Sequence, residues 1–184
     1  MPLRRMDAES LRDSLLAVAG RLDDTAGGPP DTVSVNEDGL VSVNSTGNNC
    51  WRRSICVQYR RTEIPSMMET FDYPEMGPNC LTRSVSTASP QSLMLMNSKH
   101  VHKLAAAFAA QVEAQQLGDK SRDSGRLVDT VYQIALSRSP SDVERQIGIE
   151  TLKELESIWK GKSHEALATY CHTILNSGAF LYVD

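Results

Sequence analysis

The sequence predicts a mainly α protein with a small β element (α+β), a helical bundle in the C-terminal half and a short hairpin and strand in the N-terminal half. Three observations predict it. Apolar residues recur at helical spacing through residues 98–184. Valines alternate with polar residues between Thr32 and Val43. Aromatic residues make up only 5% of the chain, so the core is expected to be aliphatic, with seven methionines filling gaps.

Each element has its own signal. Leu11, Leu15, Val18 and Leu22 are spaced by four, three and four, with Asp7 placed as a cap, which predicts an amphipathic helix over residues 7–22. Gly27-Gly28-Pro29-Pro30 can neither continue a helix nor enter a central strand. Val33 and Val35, then Val41 and Val43, flank Asn36-Glu37-Asp38-Gly39 and read as a hairpin. Residues 23–50 are thus a loop and hairpin insertion that closes with a polar loop, Asn44 to Asn49. From Arg53 to Arg61, Ile55, Val57 and Tyr59 alternate with Cys56, Gln58 and Arg60, the pattern of a half-buried strand. Pro65 suits the first position of a short helix that turns Met67, Met68 and Phe71 inward, and Asp72 to Pro78 breaks it. Thr82 to Ser89 is hydroxyl-rich and extended, feeding a helix opened by Ser89-Pro90 and carrying Leu93, Met94 and Met96.

The helical part spans residues 98–184. Val101, Leu104, Ala105, Phe108 and Val112 stripe a helix ending near Gly118, and Leu127, Val131, Ile134 and Ala135 stripe another from Gly125 to Arg138. Ser141 and Glu144 fit a reciprocal capping pair, opening a helix with Val143, Ile147, Leu155 and Ile158 as its apolar stripe and Gly161 as its end. A last capped helix from Ser163 presents Leu167, Tyr170, Cys171, Ile174 and Leu175 before Asn176-Ser177-Gly178 stops it. Phe180-Leu181-Tyr182 is costly to leave in water, so the C-terminus is expected to be docked.

Composition narrows the function classes. The 184 residues suit a single domain, and 40% hydrophobic with 23% charged residues is a folded composition. Subtracting 23 acids from 19 bases leaves −4, which argues against coating nucleic acid or anionic lipid, so no nucleic-acid partner is expected. Arg12 and Asp13 interrupt the apolar set Leu11, Leu15, Leu16 and Val18, so no signal peptide or membrane span is read. Cys50, Cys56, Cys80 and Cys171 form no CxxC pair and none heads a CxxCH motif, so no cofactor is expected in this chain. A zinc site from Cys50, Cys56, His100 and His102 would lack the usual two-residue knuckle, and buried reduced thiols are expected instead.

The densest polar block is Arg52, Arg53, Arg60, Arg61, Glu63, Glu69 and Asp72. Its arginines either fork onto a carboxylate, phosphate or sulfate, or pair internally with Glu63, Glu69 or Asp72, and the internal pairing is the stronger expectation. The serine and threonine cluster from Thr82 to Ser92 contains no G-x-S-x-G, and no phosphate-binding glycine motif occurs. His100 and His102, two apart, fall on different helix faces. No catalytic or metal-ligating set emerges. The candidate residues for an anion or a partner are Arg53, Arg60, Asp72, Arg83, Gln91 and Asn97.

An ordered series of stretches resembles one family: Arg5-Met6-Asp7-Ala8-Glu9-Ser10-Leu11-Arg12-Asp13, Gly27-Gly28-Pro29, Arg52-Arg53-Ser54-Ile55-Cys56-Val57, Phe71-Asp72, Arg83 to Asn97, Ala135 to Pro140, and Leu175 to Asp184. They are similar to the PSD-type domain of unknown function that closes large planctomycete proteins beginning with a cytochrome c-like domain. The resemblance implies an exported or periplasmic parent, a haem-containing or N-terminal companion segment, and a further N-terminal part of the domain, so this chain is expected to be a truncated version. Cys56 stands where relatives often have tyrosine. The family's haem role does not carry over to a chain without CxxCH. Two functions follow as expectations: a non-catalytic accessory or interaction domain, or the substrate-binding part of a larger enzyme acting on polymeric or sulfated carbohydrate, with Arg53, Arg60 and Arg83 meeting the anion.

Overall fold

A computed structural model describes residues 3–74, 82–83, 85–116 and 123–183. Its elements in chain order are β1 (Arg4–Arg5), α1 (Ala8–Val18), β2 (Leu22–Asp23), β3 (Val33–Val35), β4 (Val41–Val43), β5 (Trp51–Arg52), a 3-10 turn (Ser54–Cys56), α2 (Ser66–Thr70), α3 (Ser89–Asn97), α4 (Lys99–Gln115), α5 (Ser124–Leu136), α6 (Asp142–Ile158), α7 (Ser163–Leu175), α8 (Gly178–Leu181) and β6 (Tyr182–Val183). The protein is mainly α with a small β element, as the patterns predict. The strands form separate pairs: β1 antiparallel to β6, β2 parallel to β5, and β3 antiparallel to β4 with Val33 opposite Val43 and Val35 opposite Val41.

α4 lies along α7, α7 packs on α6 and α6 on α5, while α1 joins α4 and carries α2 and the 3-10 turn. One core runs through both halves, from Leu11 and Leu15 of α1 and Met68 of α2 to Phe108 of α4, Val131 of α5 and Leu167 of α7. The tail is docked: Phe180 is buried, the Met6 N–H donates to Leu181 O at 2.9 Å, and β6 pairs with β1. Ser141 and Glu144 cap α6 reciprocally, and the stripes expected on α4, α5 and α7 face the core.

Several expectations are corrected. α1 stops at Val18, because Gly20 takes a left-handed backbone (φ +63°) and the Arg21 N–H turns back to Leu16 O; Leu22 then enters a strand. No strand runs from Arg53 to Arg61. Asp13 captures the Ser54 backbone, the chain tightens into the 3-10 turn, and Ile55 is left 87% exposed; only an isolated bridge between Asp31 and Val57 remains. On α3, Gln91 and Leu95 are buried and Met94 is partly buried, while Leu93 and Met96 face solvent; polar bonds anchor Gln91 on the inner side. On α6 the inward face is Gly148 and Leu152, with Leu155 partly buried, while Val143, Ile147 and Ile158 face solvent. α7 begins at Ser163, but Lys162 holds the cap position and no side chain caps it. Cys171 is buried, whereas Cys50 and Cys56 are only half-buried. Gly118, Cys80 and most of the break after Tyr73 lie outside the described residues.

Candidate functional site

The polar face of α1 organises the N-terminal half. Arg12, only 5% exposed, donates through Nη1 to Arg52 O (3.0 Å) and Ser54 Oγ (3.2 Å). Burial pulls its guanidinium below the ordinary value against the raising influence of Asp13 and Asp31. Asp13 Oδ1 accepts from the Ser54 N–H and hydroxyl, both at 2.7 Å. Arg52 donates through all three nitrogens: Nε and Nη2 to Asp31 Oδ1 at 2.9 and 2.6 Å, Nη1 to Gly27 O and Nη2 to Pro29 O. The glycine–proline connection is therefore tied to β5 by one side chain, and the bonds to Asp31 hold the guanidinium above its ordinary value.

A second node forms around Asp72, whose left-handed backbone (φ +62°) follows α2. Its Oδ2 accepts from Arg5 Nη2 at 2.7 Å and the Ser86 N–H at 2.8 Å, and its Oδ1 from Ser86 Oγ at 2.9 Å. Gln91 Nε2 donates to Ser86 Oγ at 3.0 Å, and Arg5 also lies over the Phe71 ring, 5.3 Å from its centroid. Burial alone would raise the Asp72 carboxyl, but the bonds from Ser86 and Arg5 outweigh it and hold it low.

Of the sequence-predicted residues, Asp72 and Gln91 thus meet. Arg83 forks onto Glu9 with two 2.8 Å bonds, and Arg53 Nε lies 3.6 Å from Asp13 Oδ2, so both reach carboxylates of α1. Arg60 closes on Glu63 at 2.8 Å within its own turn. Asn97 is exposed in the last turn of α3 and joins none of these networks.

One concave feature among the described residues brings together residues that the sequence did not connect. A cleft of about 560 Å³ of empty space, its solvent mouth included, is walled by β4, Trp51, the start of α2 and the junction of α3 and α4, with Arg12 in its lining. Trp51 and His100 meet edge to face, centroids 5.0 Å apart, and also line an adjoining cavity with Arg21 and Lys103. Burial first, then the charges of Arg12 and Lys103, push His100 down to about 4, so it is neutral at pH 7. His102 instead stacks on His172 at 4.2 Å, and the two donate to Met96 O and Leu95 O at the end of α3. Among the described residues no group of three or more His, Cys, Asp or Glu is placed to hold a metal ion. No described helix is long and apolar enough to cross a membrane. The Trp51–His100 pair has no sequence signal, since the partners are 49 positions apart and neither belongs to a motif.

Fold and networks together define a mainly helical domain whose N-terminal arginines tie loops and strands to one helix. The chain belongs to the PSD1 family, described as a protein of unknown function (DUF1553), which matches residues 1–152. The match takes in the elements up to most of α6; the resemblance read from the sequence ran on to Asp184. No curated protein and no solved structure matches the chain.

Proposed function

We propose that the chain is a non-catalytic accessory or interaction domain, with no haem of its own, of a cytochrome-c-associated planctomycete protein. The observation that supports it most is the outer face of α6, where Val143, Ile147 and Ile158 are 69%, 58% and 71% exposed. Their spacings of four and eleven bring them onto one outer edge of the helix, beside the face packed on α5 and α7, with the exposed Glu150 and Glu154 between Ile147 and Ile158. Three large apolar side chains with two carboxylates between them, on the outer edge of a helix that already has a buried face, have the mixed composition of a polar-rimmed contact surface. The expected partner is the haem-containing or N-terminal companion segment of the parent protein.

The carbohydrate reading has less support, because Arg53, Arg60 and Arg83 each already face a carboxylate that a sulfate would have to displace. A thermal shift specific to sulfate or a sugar acid, lost in Arg60→Ala, would favour it.

The test is titration of the chain with the separately purified haem-containing domain, followed by calorimetry and size exclusion. The expected result is a stoichiometric complex weakened about tenfold or more by Ile147→Asp, with an unchanged melt. Failure to form a complex overturns the proposal, as does enzymatic turnover abolished by Asp72→Ala in a folded chain.

A further inference from the structure

The cleft beside Trp51 combines apolar walls with very little free polar chemistry. Leu40, Val43, Pro65, Met67 and Met94 supply much of the lining. Its hydroxyls and its indole are already engaged: Ser66 Oγ accepts from the Val41 N–H (2.9 Å), Ser42 Oγ from Asn36 Nδ2 (2.8 Å), Ser98 Oγ from the Val101 N–H (3.5 Å), and Trp51 Nε1 donates to Val43 O (3.0 Å). Two groups remain. Arg12 spends only Nη1 on its neighbours, an ion pair with Asp13 Oδ1 at 3.4 Å among them, and its Nε and Nη2 donate to no described residue, so a carboxylate there would displace no bond. The ring nitrogens of His100 likewise have no hydrogen-bond partner among the described residues.

Charge sharpens the picture. The chain carries a net −4, yet neither this cleft nor the adjoining cavity has an Asp or Glu in its lining, while Arg12, Arg21 and Lys103 all contribute. The first turn of α4 also opens here through Ser98 and His100, adding partial positive charge from its backbone amides.

We propose that this cleft binds a small amphiphilic anion, its carboxylate on the Nε–Nη2 edge of Arg12 and beside a neutral His100, its aromatic or branched-alkyl body against Trp51, Met67 and Met94. A guanidinium edge offers two parallel donors that fit a carboxylate side-on, and a buried one gains most from a charged acceptor. A sugar, with hydroxyls all round its ring, would leave those facing Leu40, Val43, Pro65, Met67 and Met94 unpaired, and a bare inorganic anion would leave these walls uncovered. The site is independent of the α6 surface and of the interaction role assigned to it.

The test uses the full chain and three probes: phenylacetate, its neutral analogue 2-phenylethanol, and sulfate, followed by calorimetry and by NMR of the Trp51 indole N–H and the His100 ring. Phenylacetate is expected to bind saturably and shift both sets of signals, with affinity about tenfold or more above either control. Arg12→Gln should abolish binding, but Arg12 also supports Arg52 and Ser54, so a second variant is needed. Met67→Trp fills the cleft from α2 and should weaken phenylacetate about tenfold while keeping a cooperative melt. Absence of saturable binding, equal binding of 2-phenylethanol or sulfate, or unchanged affinity in folded Met67→Trp each overturns the proposal.

Discussion

Arg52 shows how much of the N-terminal path rests on single side chains: with Asp31, Gly27 O and Pro29 O all on its guanidinium, it closes a connection that has no helix or long strand to hold it. The residue types of this network are visible in the sequence, but the pairings are not. Arg60 with Glu63 is a local pair that spacing allows, whereas Arg83 with Glu9 and Arg5 with Asp72 join positions 74 and 67 apart. His100 carries a consequence for acid stability. Above pH 6.5 it is neutral folded or unfolded and contributes nothing. Below 6.5 the unfolded chain takes up a proton that the folded chain resists until about pH 4, so stability declines across that window and the loss is complete below it. The full difference is on the order of 3 kcal/mol. His172, also lowered first by burial, acts in the same direction. Glu144, held at about 2 chiefly by Arg138, gives way only at lower pH. His100→Phe keeps a ring against Trp51 and should flatten part of the decline in urea-melt stability between pH 6.5 and 4; an identical slope in the variant would count against this assignment.

At the scale of elements, α4, α5 and α7 are legible because each carries one apolar stripe. α6 carries two. Val143, Ile147 and Ile158 compete with Gly148, Leu152 and Leu155, and the larger side chains draw the sequence-based choice to the wrong face. Close packing decides otherwise: a Cβ on Gly148 would lie 2.6 Å from the Tyr170 hydroxyl and 2.9 Å from both Val128 methyl groups. The bare backbone lets α6 approach α5 and α7, so glycine marks the buried side. Gly148→Ala should therefore destabilise the protein by about 1–3 kcal/mol in chemical denaturation, in spite of the roughly 1 kcal/mol that alanine gains in a helix. A stabilised variant would show that the three helices do not meet there. The rotation of α3 has no apolar-stripe signal, since one of its two buried residues is the polar Gln91.

At the scale of the molecule, the two chain ends support each other. β6 pairs with β1, Met6 bonds to Leu181, and Phe180 of α8 enters the core. Phe180→Ala should cost about 3–5 kcal/mol, the range for truncating a buried aromatic. Hydrogen exchange should then quicken at Arg5 and Met6, at the far end of the chain; protection unchanged there would mean the two ends are not coupled.

The sequence by itself determined the helical character, the hairpin, the α6 cap, the docked tail and the family, because periodicity, turn chemistry and local capping act over a few residues. The tertiary structure alone decided which face of α3 and α6 is buried, which carboxylate each arginine meets, and that Trp51, His100 and Arg12 share a cleft. Those outcomes depend on contacts between residues tens of positions apart, where helix rotation and close approach are set by the whole core.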